Sequence, residues 1–109
     1  MTIQVTGNLL EGCVLAVLST GDEYGYSLTQ RVKNELGVSE STLYPVMRRL
    51  QTGEYLTAYD MPHNGRNRRY YRITQRGHEQ HETCKQAWTQ FKGRIDSILY
   101  LTDRNGGSI

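Results

Sequence analysis

The chain has 109 residues, enough for one domain with a modest hydrophobic core. Thirteen basic and eleven acidic residues leave a formal net charge of only +2, so any surface that attracts a polyanion must be local. Two cysteines that lie far apart, Cys13 and Cys84, indicate reduced thiols in a cytoplasmic protein. The apolar run at residues 13–18 is too short to cross a membrane, so we expect no membrane partner, and no motif calls for a cofactor.

The first third of the chain predicts two helices. Apolar residues recur at helical spacing over residues 9–18, with Asn8 as the predicted N-cap and Gly21 after the end of the helix. A second helix is predicted over residues 24–36, followed by Gly37 as its stop. Its polar face has two interpretations, either contact with DNA phosphates or simple solvation.

A third helix is predicted over residues 38–53, with Ser39 or Ser41 as its N-cap. Pro45 cannot donate a backbone hydrogen bond, so either the regular helix begins near Ser41 or it kinks at the proline. Both alternatives leave the start of the helix exposed, where a recognition helix meets base edges. Tyr44 has an alternative interpretation as a core ring with a solvated hydroxyl. The candidate DNA-contact residues of this helix are Ser39, Ser41, Thr42, Tyr44, Arg48 and Arg49.

Two strands are predicted at residues 56–61 and 69–74, joined by a turn whose Asn-Gly pair is typical of hairpins. Residues 39–76 contain seven arginines, three acidic residues and no lysine, a local net charge of +4. Guanidinium groups form bidentate bonds with phosphates and guanine edges, which ammonium groups do not. The alternative is that these arginines only solvate an exposed face. The candidate DNA-contact residues of the hairpin are Asn64, Arg66, Arg68 and Arg69.

A long last helix is predicted from a cap at Thr74 to about Leu101. Its apolar residues are separated by steps of four, three, four and three, the period of a helix that packs along another helix. The partner is the first helix, a second chain or both, and we favour both. The residues of this apolar repeat are Cys84, Trp88, Phe91, Ile95 and Ile98.

Other classes of function fit the sequence less well. His78 and His81 are three residues apart, so the zinc motif His-Glu-x-x-His is absent, and a metal site with Cys84 would draw on one helix only. No nucleophile motif or glycine-rich phosphate loop indicates an enzyme. RNA binding is disfavoured, because the sequence does not predict stacking aromatic rings arranged on a sheet.

A helix followed by a basic hairpin predicts an α+β fold, a winged helix-turn-helix with a long C-terminal dimerisation helix. In this interpretation, residues 1–75 form the DNA-binding region, residues 76–102 the dimerisation helix and residues 103–109 a flexible tail. A two-fold dimer is expected to bind an inverted repeat in double-stranded DNA. The alternative function, a dimerisation or adaptor module without ligand sensing, explains the long helix but not the seven arginines.

Several motifs resemble the PadR family of bacterial transcriptional regulators, and the resemblance covers residues 9–101. It implies a homodimer, built from the first and last helices, that represses nearby genes. The single C-terminal helix is similar to that of the smaller PadR subfamily. The motifs are Gly25-Tyr26, Ser41-Thr42-Leu43-Tyr44-Pro45, Arg48-Arg49-Leu50, Gly53, Arg68-Arg69-Tyr70-Tyr71-Arg72-Ile73-Thr74 and Gly77.

Trp88, the single tryptophan, resembles a feature of the multidrug-binding members of that family. Those proteins carry a tryptophan midway along the last helix, which lines a pore at the dimer centre and stacks flat aromatic drugs. The resemblance implies a ligand-binding role for Trp88 and release from DNA by a planar aromatic ligand. The alternative is a core tryptophan packed tightly against the partner helix.

Overall fold

Helices and short strands alternate along the part of the chain that this computed structural model describes, namely residues 1, 3–5 and 7–106, the side chains of 104–106 excepted. The predicted α+β fold, with a hairpin wing and a long late helix, is confirmed. None of the described helices is long and apolar enough to cross a membrane. The elements are α1 (Gly7–Leu18), β1 (Glu23–Tyr24), α2 (Gly25–Leu36), α3 (Glu40–Thr52), β2 (Leu56–His63), β3 (Arg66–Ile73), α4 (Gln75–Leu99) and α5 (Leu101–Gly106).

The core forms where the apolar faces of α1, α2 and α3 meet the start of β2. In α3 the buried positions lie three, four and seven residues after Leu43, which places them on one face of the helix. All buried side chains among the described residues are apolar, so the polar face of α3 remains in solvent. The buried core residues are Leu10, Val14, Leu15, Leu18, Leu28, Val32, Leu43, Val46, Met47, Leu50 and Leu56.

The starts of α1 and α2 differ from the predicted ones, whereas α3 uses one of the two predicted caps. α1 begins at Gly7, so Asn8 lies inside the helix and is not its N-cap. Tyr24, predicted as the first residue of the second helix, lies in β1 and precedes α2 without forming a side-chain cap. Ser39 is the N-cap of α3, because its hydroxyl accepts a hydrogen bond from the Thr42 amide at 3.2 Å. α3 then continues through Pro45, which lies in its second turn rather than its first.

The wing is longer than predicted, because β2 extends to His63 and β3 begins at Arg66. Asn64 and Gly65 form the turn with φ values of 51° and 77°, as the predicted Asn-Gly turn requires. The sheet is antiparallel in the order β1-β3-β2. Tyr71 and Ile73 pack against the core, as their alternation in the sequence predicted.

Among the described residues, α1 packs along the first half of α4, and the second half contacts only the short helix α5 that follows it. α1 approaches so closely that a Cβ at Gly12 would overlap the Cys84 sulfur. Beyond this contact the apolar repeat is largely uncovered, with Phe91 55% exposed and Ile98 71% exposed, whereas Ile95 is partly buried. α5 follows, and it includes the first residues of the predicted tail, whose residues 107–109 lie outside the described part of the chain.

Gly77 allows the start of α4 to lie against the loop between α3 and β2. It is buried, and a Cβ there would overlap the Tyr55 carbonyl oxygen and lie 2.6 Å from Cγ1 of Ile73. The Thr74 hydroxyl connects the same elements, because it accepts from the Gly77 amide at 3.0 Å and donates to the Glu54 carbonyl at 2.7 Å. The Thr74 cap predicted from the sequence is therefore confirmed.

Gly77→Ala is expected to lower the free energy of unfolding by about 1 to 3 kcal/mol, because the backbone of the loop must move to admit the methyl group. His78→Ala is the matched control, since His78 is exposed at the next position, and it should change stability by less than about 0.5 kcal/mol. Urea unfolding at one protein concentration measures both. Equal stability of Gly77→Ala and the wild type would contradict the close approach.

Candidate nucleic-acid interface

The exposed face of α3 carries several of the residues that the sequence predicted to touch DNA. Ser41, Tyr44 and Arg48 are three and four residues apart, so they lie on one side of the helix, away from the core. Tyr44 is 57% exposed, and its alternative interpretation as a core ring is therefore wrong. Within the described part of the chain, Arg48 has no carboxylate partner, which leaves its charge available to a polyanion.

Three hydroxyl groups gather at the start of α3. The Ser39 hydroxyl lies 2.9 Å from that of Ser41 and 3.0 Å from that of Thr42. All three residues are exposed beside the free amide groups of the first helical turn. This arrangement presents hydrogen-bond donors and the positive end of a helix dipole, both of which suit a phosphate or a base edge.

Arg49 differs from Arg48 although the two are neighbours in the sequence. Its Nε lies 2.7 Å from a carboxylate oxygen of Glu11, so the side chain leans towards α1. Half of this guanidinium is still exposed, but its charge is balanced. Arg48 and Arg49, which the sequence analysis treated alike, therefore differ in whether a carboxylate balances their charge.

The wing arginines also fall into two groups. Arg69 lies 3.7 Å from Asp60, and Arg72 lies 2.9 Å from Asp22, so carboxylates balance both charges. Arg66 is exposed beside the turn that contains Asn64, and it forms no ion pair with the described residues. Arg68 faces an aromatic ring instead of a carboxylate, with its guanidinium carbon 4.7 Å from the centroid of Tyr24.

A cleft of about 390 Å³ separates α3 from the wing. In the lining of the cleft, the backbone of Gly25 lies close against the ring of Tyr71, because a Cβ at Gly25 would be only 2.9 Å from Cε2 of Tyr71. Tyr26, 63% exposed at the rim, was not among the predicted contact residues, and only its exposed aromatic ring beside Gly25 could have indicated it. The cleft is lined by Tyr24, Gly25, Tyr26, Thr29, Glu40, Tyr44, Met47, Asn67, Arg68, Arg69 and Tyr71.

Three tyrosines form a row across the outer face of the wing, so the expectation that no aromatic rings line a sheet is wrong. Tyr24, Tyr70 and Tyr59 are directly opposite one another on β1, β3 and β2. This row could not be predicted from the sequence, because β1 has only two residues and its sequence resembles the start of a helix. The two neighbours flank Tyr70 at 5.8 and 5.7 Å between ring centroids; the ring of Tyr59 is stacked on it, and that of Tyr24 is tilted by 42°.

Asp22 holds one end of this tyrosine row. Its carboxylate accepts hydrogen bonds from the Tyr59 hydroxyl at 2.6 Å and from Nε of Arg72 at 2.9 Å. The bond with Asp22 raises the pKa of Tyr59 and the pKa of Arg72 above their ordinary values. Both groups therefore keep their protons at neutral pH.

A second site lies at the junction of α1 and α4, around Trp88. A pocket of about 430 Å³ opens there, and Trp88 is 42% exposed beside it. No residue of the lining carries a charge at neutral pH, and burial raises the pKa of the Cys84 thiol and of the neighbouring Cys13 thiol. The lining residues are Gln4, Val5, Asn8, Leu9, Gln80, Thr83, Cys84, Ala87, Trp88 and Phe91.

Residues 14–83 match the profile of the transcriptional regulator PadR-like family. The chain belongs to the PadR family. A Streptococcus mutans protein of known structure shares 36% identity with a TM-score of 0.82, and the match covers 91% of this chain and 93% of that one. A PadR-like transcriptional regulator from Bacillus cereus shares 33% identity with a TM-score of 0.74, covering 84% of this chain and 91% of that one. An uncharacterized protein of Lysinibacillus sphaericus is 34% identical over 96 residues, which cover 83% of this chain and 87% of that protein.

PadR proteins are DNA-binding transcriptional regulators and not enzymes, so the predicted family, fold and class of function are confirmed. The family match covers α2, α3, the wing and the start of α4, which are the elements around the cleft. Trp88, Phe91 and Ile98 lie beyond the matched range. The family match therefore supports a role in DNA binding for the elements around the cleft, and it does not extend to Trp88.

Proposed function

We propose that this PadR protein is a repressor that binds an inverted-repeat operator as a homodimer and is released by a planar aromatic ligand beside Trp88. The observation that carries the DNA-binding part is the cleft shared by α3 and the wing. Tyr44 of α3 and Arg68 and Arg69 of β3 line the same cavity, so helix and wing face one ligand surface. A duplex offers that surface a major groove for α3 and an adjacent phosphate backbone for the wing.

In this proposal, α3 supplies the sequence-reading contacts. Ser41, Thr42, Tyr44 and Arg48 meet base edges or nearby phosphates, and Ser39 holds the helix start that presents them. Arg49 contributes less, because Glu11 already balances its guanidinium. Asn64, Arg66 and Arg68 contact the backbone, which sets the position of the protein without reading sequence. Arg69 also faces the backbone but contributes less, because Asp60 lies 3.7 Å from its guanidinium.

The first test is the salt dependence of DNA affinity. Arg66→Ala and Arg68→Ala should each weaken binding to all duplexes and lower the slope of log K against log salt by about one unit, because each removes one phosphate contact. Arg72→Ala is the matched control on the same strand, and its slope should equal that of the wild type, since Asp22 already balances that charge at 2.9 Å. Unchanged slopes in both test variants would contradict the wing contact. Failure of the wild type to bind any duplex would favour an adaptor module.

The uncovered half of α4 supports the dimer. Phe91 and Ile98 continue the apolar repeat with more than half of each side chain in solvent. A two-fold partner that laid its own α4 along this stripe would bury it, as the repeat of 3.5 residues favours. Two copies would then present two recognition helices to half-sites about one DNA turn apart, or a multiple of that distance.

Ile98→Glu is expected to give a monomer that loses tight operator binding, because the substitution puts a charge in the apolar stripe. Gln86→Glu is the matched control, since it adds the same charge on the opposite, exposed side of α4. Sedimentation gives the oligomeric state and a gel shift gives the affinity. A monomeric Ile98→Glu variant that still bound the whole operator tightly would refute the arrangement.

The Trp88 pocket supports the ligand part of the proposal. Its wall combines the indole of Trp88 and the ring of Phe91 with the amide groups of Gln4, Asn8 and Gln80. Such a surface suits a flat aromatic molecule with polar edges, because aromatic rings gain from offset stacking. A ligand releases DNA only if it binds better to a dimer whose recognition helices are wrongly spaced, since it shifts an equilibrium no further than its differential affinity.

Calorimetric titration of a panel of planar neutral and cationic dyes should reveal saturable binding in the wild type, lost in Trp88→Ala and largely kept in Trp88→Phe. Calorimetry is preferable to quenching here, because Trp88 is the single tryptophan and its removal also removes the fluorescence. The best ligand should then weaken the gel shift. No binding by any dye would favour a tryptophan packed against the partner helix, and binding with unchanged DNA affinity would exclude induction.

A further inference from the structure

We propose that Tyr24 is a positioning residue for DNA binding, because its ring holds the guanidinium of Arg68 in place for one DNA phosphate. This inference rests on the proposed contact between the wing and DNA. The juxtaposition that carries it is a continuous stack on the outer face of the wing, in which Arg68 covers Tyr24 and Arg72 covers Tyr59 at the other end. Tyr70 joins the two halves in the middle.

The stack is fixed by backbone pairing. Tyr24 and Tyr59 are both the direct cross-strand partners of Tyr70, so the three rings share one sheet face by register. Arg68 and Arg72 lie two residues before and two residues after Tyr70 on the same strand, which puts both guanidinium groups on that face as well. Each arginine then reaches diagonally over a neighbouring ring, at 4.7 and 4.9 Å from the centroids.

The two ends of the stack differ in charge. Arg72 is bonded to Asp22 at 2.9 Å, so the far end is neutral. Arg68 forms no ion pair with the described residues, and its neighbour is the uncharged face of Tyr24. An aromatic face attracts a guanidinium through its quadrupole and leaves the positive charge uncompensated, whereas a carboxylate cancels it. Of the two, only Arg68 is held in place without a carboxylate that compensates its charge.

Tyr24 lies where an ordered Arg68 would help DNA binding. Tyr24 immediately precedes α2 and lines the cleft together with Arg68 and the α3 residue Tyr44. Its side chain makes no capping hydrogen bond to α2, so capping does not account for it. A long arginine that is already ordered before DNA arrives loses less side-chain entropy on binding a phosphate. The ring of Tyr24 therefore raises affinity without touching DNA itself.

The test is a double-mutant cycle on operator affinity with the dimeric protein. Tyr24→Leu should weaken binding about two- to five-fold, the loss of one exposed cation–π contact, while Tyr24→Phe keeps the ring and should stay close to the wild type. In the Arg68→Ala background, Tyr24→Leu should cause no further loss, because no guanidinium is left to position. A merely structural role of Tyr24 would lower affinity equally in both backgrounds, and that result overturns the proposal.

A second measurement covers the case in which Tyr24→Leu fails to fold. In the free wild-type protein and in Tyr24→Phe, the side-chain protons of Arg68 should resonate upfield because of the ring current, and those of the exposed Arg66 should not. Absence of that upfield shift overturns the proposal. If Arg68→Ala weakens binding and Tyr24→Leu does not, this inference fails and the wing contact stands. If the wild type binds no duplex, both fail.

Discussion

The position of the wing depends on the pairing of a two-residue strand, β1, with β3. A two-stranded hairpin alone is marginally stable in water, and it needs a third strand or a packed face to stay fixed. β1 is that third strand, because it pairs with β3. It also ties the hairpin to the helices, because it continues directly into α2 at Gly25. The absence of a Cβ at Gly25 lets α2 begin against the Tyr71 ring, so the wing and the helices share one frame.

Ion pairs, and not the number of arginines, decide where positive charge remains uncompensated on this part of the molecule. The stretch with a sequence net charge of +4 contains arginines whose charges are balanced by carboxylates on other elements, such as Arg49 by Glu11 and Arg72 by Asp22. Arg48, Arg66, Arg68 and Arg76 remain without such partners among the described residues, and Arg68 and Arg76 lie over tyrosine rings instead. The surface whose positive charge is left uncompensated is therefore narrower than the arginine count predicts, and it comprises the exposed face of α3, one side of the wing and the start of α4.

Local chemistry made part of this arrangement predictable from the sequence. Ser39 and Thr74 cap helices because their hydroxyl groups accept hydrogen bonds from backbone amides three residues further along the chain. Asn64 and Gly65 form the hairpin turn because both residues tolerate a positive φ. β1 was missed because two residues carry no periodicity, and the partner of Tyr24, Tyr70, lies 46 residues away along the chain. The tyrosine row and the ion pairs depend on that long-range register, so no local signal could reveal them.

The two candidate sites are connected through α1. Asn8 and Leu9 of α1 line the Trp88 pocket, and Glu11, less than one turn further along the same helix, binds Arg49 of α3. Gly12 in that turn packs on Cys84, so α1 cannot move along α4 without disturbing both contacts. A rigid helix in contact with both sites is the kind of element through which a ligand can alter the spacing of two recognition helices. In the proposed mechanism, the physical basis for coupling is the packing of α1 against both α3 and α4, and a ligand would act through it only by favouring one position of α1 over another.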